Sequence, residues 1–219
     1  MTEAVMPASA FALLAELEEN NTKAWFDAHR TRIRDEVQAP FAAILEAISA
    51  ALSDSPLPLS GGQQTMFRMN RDIRFSTDKR PYKAHVSGLL TPSGTKDEGG
   101  GVLYLHLGPQ GGFIASGFYK LSPKALAPIR DRIVAQPDTF RAMLDSLHHA
   151  GLDLSRELTL KSMPQGYSAY ADSWFADHLK LQAFITRTEI DRAAWRGGAV
   201  VARAAQIAEG SRPLLSFAG

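Results

Sequence analysis

The spacing of apolar residues changes twice along this chain, and that change limits the folds it can adopt. Residues 9–52 carry apolar side chains at helical spacing, and a Pro- and Gly-rich break then ends at Gly61-Gly62. Short β-compatible runs follow as far as residue 119, and helical spacing returns at Pro123. Because no helix separates these runs, we expect neighbouring strands to pair antiparallel. The pattern predicts an α+β fold, with a mainly antiparallel sheet of about five or six strands packed by N-terminal and C-terminal helices.

The individual elements follow from the same periodicity and from capping residues. Thr22 is expected to cap the second helix, Pro40 to kink or restart it, and Asp191 to cap a final helix that Gly197-Gly198 weakens. Further helices are predicted over 9–19, 123–135, 137–150 and 173–178. Strands are predicted over 66–75, 84–90, 102–107, 113–119, 158–162 and 181–188, with a hairpin loop over 91–101. We predict one domain over 1–219, helical in 1–60, with antiparallel strands carrying a basic motif in 61–120, and with helices and one or two further strands in 121–219.

Composition excludes several functional classes. The chain has no cysteine, so disulfides, thiolate catalysis and cysteine-ligated clusters are excluded. None of the glycine-rich phosphate or dinucleotide signatures occurs, and no cofactor is predicted. The N-terminus has no basic region before an apolar run, and no apolar stretch approaches the ~20 residues that cross a bilayer. We therefore expect a cytoplasmic protein with no membrane partner.

A run of charged residues from Arg71 to Lys83 stands out against this background. Residues 61–90 hold six Lys and Arg against two Asp, a net charge of +4, whereas residues 1–60 carry −5. The whole chain has a net charge of only +1. Such local concentration of positive charge indicates a focused anion site rather than a broad field for nucleic acid.

Alternation along the predicted strand 66–75 separates two faces. The first face holds Phe67, Met69, Arg71, Ile73 and Phe75, and the second holds Arg68, Asn70, Asp72 and Arg74. The second face is a row of donors suited to a carboxylate or phosphate. Arg71 lies among apolar neighbours, and we expect it to pair with an acid such as Asp78, because an unpaired buried charge is costly.

The candidate site residues come from this motif and from the following strands. The side chains predicted to bind an anionic ligand are Arg68, Arg71, Arg74, Lys79, Lys83 and Tyr104. Asp72 or His106 is the predicted general base, and Tyr82, between Lys79 and Lys83, is a third candidate for acid–base chemistry. His85, Tyr104 and His106 are expected to converge on the arginine row. A metal site from His85, His106 and Asp72 has no supporting ligand spacing, and none is predicted.

The run R-D-x-R-F-S-x-D-K-x-P-Y-K, matched in full at Arg71–Lys83, resembles the hallmark of a conserved hypothetical family. That family occurs widely in bacteria and also in fungi, and it is known as a domain of unknown function. Supporting similarity lies in Asn20–Phe26, in Tyr104-Leu105-His106, in Gly112-Phe113, in Gly117–Tyr119, in Ile129-Arg130 and in Lys161 with Pro164–Tyr167. The resemblance implies a single α+β domain and supplies no reaction.

Three functional interpretations remain open from the residues. The leading one is a basic cleft that binds a phosphorylated or carboxylated small molecule, as a binding protein or as an enzyme. The second is nucleic-acid binding through the same basic strand, with Phe75, Tyr82 and Trp25 available for stacking, although the net charge disfavours it. The third is an internal ion-pair network of structural importance, in a protein that acts through a partner surface. The sequence does not determine the ligand or the oligomeric state.

Overall fold

The computed structural model describes residues 4–96 and 101–218. The contacts between residues divide the chain into two compact units. Of the described residues, the first unit holds 4–96, 102–114 and 188–206, and the second holds 101, 115–187 and 207–218. The prediction of one domain over the whole chain stays a prediction.

The structure confirms the α+β class. The α-helices within the described residues are α1 (Ala8–Glu19), α2 (Lys23–Arg32), α3 (Ala39–Ala51), α4 (Pro123–Ala135), α5 (Pro137–His149), α6 (Ala176–Leu179), α7 (Arg192–Arg196) and α8 (Ala199–Ala218). The strands there are β1 (Val86–Leu90), β2 (Val102–Gly108), β3 (Gly111–Phe118) and β4 (Phe184–Ile190). They form one antiparallel sheet in the order β1-β2-β3-β4.

The described part of the chain therefore has four strands, not the five or six predicted. The predicted strand 158–162 contributes only an isolated bridge, between Thr159 and Leu181. The predicted strand 66–75 likewise forms isolated bridges rather than a continuous ladder. The hairpin loop predicted over 91–101 falls partly outside the described residues.

Local sequence signals explain where the first helices begin and end. Thr22 caps α2 as predicted, because its hydroxyl accepts a hydrogen bond from the Trp25 N–H at 3.2 Å. Between α2 and α3 the chain stays helical but widens into a π-helical segment, Ile33–Gln38. Pro40 has no N–H to donate to the preceding turn, and the π segment ends two residues before it, at Gln38. The predicted kink or restart at Pro40 is thus a local widening of one long helix.

The first unit packs helices on one face of the sheet. Leu103, Leu105 and Leu107 alternate along β2 and are fully buried. Helix α1 contacts β2, and α3 contacts β1. The intervening side chains of β2, Tyr104 and His106, therefore lie on the opposite face, where they are half-buried. The helical layer thus leaves one face of β1 and β2 for other contacts.

The second unit has its own core, built by α4, α5, α6 and the end of α8. Its fully buried side chains include Ile133, Phe140, Leu147 and Leu179. A buried guanidinium also lies there, since Arg130 donates to the carbonyl oxygens of Leu179 at 2.7 Å and Leu181 at 3.1 Å. These bonds satisfy the buried charge in part, and they explain an arginine inside a helix that is otherwise apolar on this side.

The C-terminal helices correct one further prediction. Asp191 is a cap as predicted, because its carboxylate accepts from the Ala194 N–H at 2.8 Å. The capped helix, α7, ends at Arg196, and Gly198 adopts a positive φ of 75°. That conformation suits glycine and ends a helix, so α8 begins as a separate element at Ala199. The predicted single final helix is therefore two helices. Among the described residues, no helix is both long and apolar enough to span a membrane.

Candidate functional site

The basic motif lies on a short antiparallel ladder whose register slips. Met66 forms a bridge with Gly88, and Asn70 forms a bridge with Tyr82. The advance of four residues from 66 to 70 is therefore paired with an advance of six residues from 82 to 88. The two extra residues fall between Lys83, whose N–H donates to the Met69 carbonyl at 2.7 Å, and Ser87, whose carbonyl accepts from Phe67. The slip interrupts regular strand structure on both sides, as a bulge does. It also places His85 at the irregular point.

This slip and the turn that follows overturn the predicted two-faced strand 66–75. Met69 is only 2% exposed, whereas Phe75, predicted to share its face, is 96% exposed. The Asp72 carboxylate accepts from the Arg74 N–H at 3.3 Å, and the Ser76 N–H donates to the Ile73 carbonyl at 3.3 Å. The chain therefore turns at Asp72, and alternation cannot extend to Phe75.

Asp78 organises the other side of the turn. Its carboxylate accepts from Arg71 Nη1 at 2.6 Å, from Arg80 Nη2 at 2.8 Å and from the Arg80 N–H at 3.0 Å. The predicted pairing of Arg71 with Asp78 is confirmed. Hydrogen bonds from the Arg80 side chain and backbone, and then from Arg71, hold the pKa of Asp78 well below its usual range. Arg71 is thereby held in one orientation.

Asp72 and Arg74 form a separate pair at the surface. Arg74 Nε and Nη2 donate to the two oxygens of Asp72 at 2.9 and 2.7 Å. These bonds lower the pKa of Asp72, which makes its carboxylate a weaker base. Lys79 also has a local partner, because its Nζ donates to the Ile73 carbonyl at 3.1 Å. Three of the predicted site residues thus form local contacts within the turn.

Tyr82 is packed against the N-terminal helices. Its ring stacks on Phe26 with 3.8 Å between centroids and 2° between planes, and the residue is 6% exposed. The Asn21 side chain accepts from the Tyr82 N–H and donates to the Tyr82 carbonyl, each at 3.0 Å. These contacts join the Asn20–Phe26 segment to the motif. The role of Tyr82 in acid–base chemistry stays a prediction. Packing against Phe26 is sufficient to explain the position of its ring.

Lys83 lies close enough to Arg68 and Arg71 for their positive charges to act on it. It is half-buried, and burial lowers the pKa of its ammonium, which the charges of Arg68 and Arg71 lower further. Within residues 4–96 and 101–218, no ion pair joins Lys83 or Arg68 to a carboxylate. We call Arg68, Arg71 and Lys83 the cationic group. Among the described residues, Arg71 is the one member of this group with a carboxylate partner, Asp78.

His85 and His106 lie next to each other, and the charges of Lys83 and Arg71 act on His85. The convergence of His106 and Tyr104 on the arginine row stays a prediction. The ring centroids of His85 and His106 are 4.1 Å apart. Burial lowers the pKa of His85 to about 4, with smaller contributions from the charges of Lys83 and Arg71. His85 is therefore neutral at pH 7, and its ring can lie against a second imidazole without charge repulsion. Tyr104 also lies next to this histidine pair, because its hydroxyl is 3.3 Å from His106 Nδ1.

Gly112 determines how closely strand β3 approaches His106 on strand β2. A Cβ on Gly112 would lie 1.8 Å from the His106 carbonyl oxygen, so only glycine allows this approach of β3 to β2. The neighbouring Phe113 ring then stacks on His106, with centroids 4.7 Å apart and 15° between planes. In the described part of the chain no three His, Asp or Glu side chains are grouped so as to hold a metal ion.

Sequence reasoning did not assign a role to several side chains that shape this region. Phe67 was placed on an apolar face, yet its ring lies 5.9 Å from Lys83 Nζ and 6.0 Å from Lys96 Nζ. Phe113 and Asn21 were noted only as parts of similar segments. The available signal was that Asn20–Phe26 and the basic motif both resemble segments of the same family.

Residues 9–217 match the family described as conserved hypothetical protein (DUF2461). The chain belongs to this family. The match covers both units, including the basic motif and the Asn20–Phe26 segment that packs on it. A search of curated proteins and a search of solved structures each found no match. The family carries no described reaction, so functional inference has to come from the site itself.

Proposed function

We propose that this member of DUF2461 binds a small phosphorylated or carboxylated molecule at the cationic group of Arg68, Arg71 and Lys83. The observation that supports this most is the environment of Lys83. Lys83 is half-buried, the charges of Arg68 and Arg71 lower its pKa, and neither Lys83 nor Arg68 pairs with a carboxylate in the described residues. Gathering like charges costs free energy, and a bound anion relieves that cost.

Each cation has a distinct part in this proposal. Arg71 is held by Asp78 and presents its guanidinium in a fixed orientation, which lowers the entropy lost on binding. Lys83 supplies a point charge, and Arg68 supplies a planar fork suited to two oxygens. Arg74 and Lys79 are less available, because Asp72 and the Ile73 carbonyl already accept their donors.

The neighbouring imidazoles are the groups best placed for proton transfer to or from such a ligand. His85 is neutral at pH 7 and close to both His106 and the charge of Lys83. Asp72 is a weaker candidate because Arg74 lowers its pKa. Catalysis by His106, Asp72 or Tyr82 stays a prediction, and the binding proposal does not depend on it.

A thermal-shift screen of the full chain against phosphate, pyrophosphate, citrate and malonate tests the proposal. A ligand at 100 times its dissociation constant stabilises the folded state by about 2.7 kcal/mol. We expect Lys83→Met and Arg68→Met each to abolish the shift. Lys124→Met is the matched control, because it removes the same charge from an exposed position on α4. Absence of any shift at millimolar anion, or a shift that survives both site variants, contradicts the proposal.

Calorimetry in buffers of different ionisation enthalpy gives an independent test. A bound anion favours the charged form of nearby bases, so it should raise the lowered pKa of His85. We expect proton uptake on binding at pH 5, where His85 is mostly neutral in the free protein. His85→Gln should remove that uptake while leaving an anion-binding signal.

A second candidate, binding of single-stranded nucleic acid, has one observation in its favour. Phe75 is 96% exposed at the tip of the basic turn, with the Arg74 guanidinium 5.9 Å from its ring centroid. An exposed ring among cations is suited to base stacking. Of the other rings considered for stacking, Tyr82 is buried. This candidate predicts affinity for oligonucleotides that falls steeply with salt and is lost in Phe75→Ala.

A further inference from the structure

A surface of aromatic rings adjoins the cationic group. We call Phe67, Tyr104, His106 and Phe113 the aromatic face. The Tyr104 ring centroid lies 6.2 Å from that of Phe67 and 5.8 Å from that of Phe113, and His106 stacks on Phe113. All four side chains are half-buried, so part of each remains at the surface. The sheet thus presents several rings together on the side away from α1 and α3.

One contact connects this face directly to the cationic group, and a second connects it to His85. The Phe67 ring lies 5.9 Å from Lys83 Nζ, within the range of a cation–π interaction. On the other side, His106 lies 4.1 Å from His85, which follows Lys83 by two residues. A molecule whose anionic group is bound by Lys83 therefore has rings of the aromatic face within the length of a small ligand.

An inorganic or aliphatic anion would use only the cations. Planar aromatic groups bind more tightly when they stack on aromatic side chains, and every nucleobase can stack in this way whatever polar groups it carries. We infer that the ligand carries a planar aromatic ring next to its anionic group, as a mononucleotide does, and that this ring stacks on the aromatic face. The inference rests on the proposed function, since it names the ligand class of the same site.

Calorimetric titration of the full chain with four probes separates the two ideas: pyrophosphate, ribose 5-phosphate, adenosine 5′-monophosphate and uridine 5′-monophosphate. We expect both nucleotides to bind at least about tenfold more tightly than ribose 5-phosphate, which has the phosphate but no base. Equal affinity of the three monophosphates overturns the inference and leaves the proposed function standing. Failure of all four probes to bind overturns both.

Variants locate the ring. Phe113→Leu is expected to weaken nucleotide binding about tenfold and to leave ribose 5-phosphate unchanged, whereas Lys83→Met weakens both. Phe75→Leu is the matched control, since Phe75 is exposed and lies outside the aromatic face. If Phe113→Leu fails to fold, Phe67→Leu takes its place. Loss of nucleotide affinity in Phe75→Leu alone overturns the inference, and so does affinity that rises steadily with oligonucleotide length.

Discussion

The side-chain amide of Asn21 forms two hydrogen bonds, each of 3.0 Å, with the backbone N–H and C=O of Tyr82, which is 61 residues away. An amide is suited to this contact because it offers a donor and an acceptor side by side. The pairing satisfies both backbone groups of one residue, as a strand neighbour would. It attaches the basic motif to the start of α2, together with the stacked rings of Phe26 and Tyr82.

Replacing Asn21 by alanine should lower the free energy of unfolding by about 1 to 3 kcal/mol, because the part-buried backbone groups of Tyr82 lose their partners. Urea denaturation measures this directly. Asn20→Ala is the matched control, since Asn20 is exposed and its side chain donates to the carbonyl of Glu16 in α1. Equal effects of the two substitutions would contradict the structural role of Asn21.

Asp78→Asn should lower the melting temperature more than Asp72→Asn does. Asp78 accepts from two arginines and one backbone amide, whereas Asp72 serves one arginine and its amide at an exposed position. The pKa of Asp78 is lowered in the folded protein, so its contribution is fully present above the unfolded pKa near 4 and decreases progressively as pH falls from there towards the lower folded pKa.

Melting temperatures of the wild type and both variants at pH 7 and pH 3 check this prediction. The difference between wild type and Asp78→Asn should shrink at pH 3. A small and equal effect of both variants at pH 7 would contradict the view that Asp78 organises the turn. It would also remove support for the interpretation of the charged cluster as a structural ion-pair network.

His85 should make the protein less stable in mild acid. Its pKa is about 4 when folded and 6.5 in an ordinary environment, so between these values the unfolded chain binds a proton that the folded protein does not. The free energy of unfolding should fall as pH decreases from 6.5 to 4, by on the order of 2 kcal/mol. His85→Gln should remove this part of the pH dependence.

Proton NMR titration of the histidines provides the measurement. Lys83→Met should raise the pKa of His85, since it removes a nearby positive charge. His178, whose pKa is lowered mainly by burial in the second unit, should titrate unchanged in that variant and serves as an internal control. A His85 pKa at or above 6.5 in the wild type would show that the imidazole is not buried among cations.

In the second unit, the buried hydroxyls of Ser116 and Ser211 lie 2.6 Å apart. Ser211 donates to the Ala208 carbonyl, so Ser116 donates to Ser211. Ser211→Ala should cost about 1 to 3 kcal/mol, because it leaves the Ser116 hydroxyl without an acceptor. Ser116→Ala should cost less, since Ser211 keeps its bond to Ala208. Chemical denaturation of both variants and of the double variant tests this order.

Several elements were predictable because their signals are local. Helix α4 has the predicted bounds, Pro123–Ala135, and Thr22 and Asp191 cap the helices that follow them. Helix periodicity and capping depend on residues within a few positions of each other. The pairing of Arg71 with Asp78 was also predictable, since an arginine on a predicted apolar strand face favours a nearby acid, and Asp78 follows within the same turn.

The errors lie where distant segments decide the structure. The prediction of a strand over 66–75 was wrong because this segment pairs with 82–88 through a register slip. The alternation of residues within 66–75 contains no sign of that slip. Phe75 is exposed, although its spacing from Met69 predicted a shared face. The contacts of Asn21 and of Phe113 likewise depend on partners brought near by the fold. Residue type indicated that these side chains could form such contacts, but not with which partner.

The sequence by itself determined the α+β class, most helices and the concentration of cations between Arg68 and Lys83, because periodicity, caps and charge are properties of neighbouring residues. Only the tertiary structure decided the surroundings of those cations beyond their local ion pairs. It places Lys83 beside Phe67 and near His85. Burial and the approach of separate strands set these environments, and both depend on the whole fold.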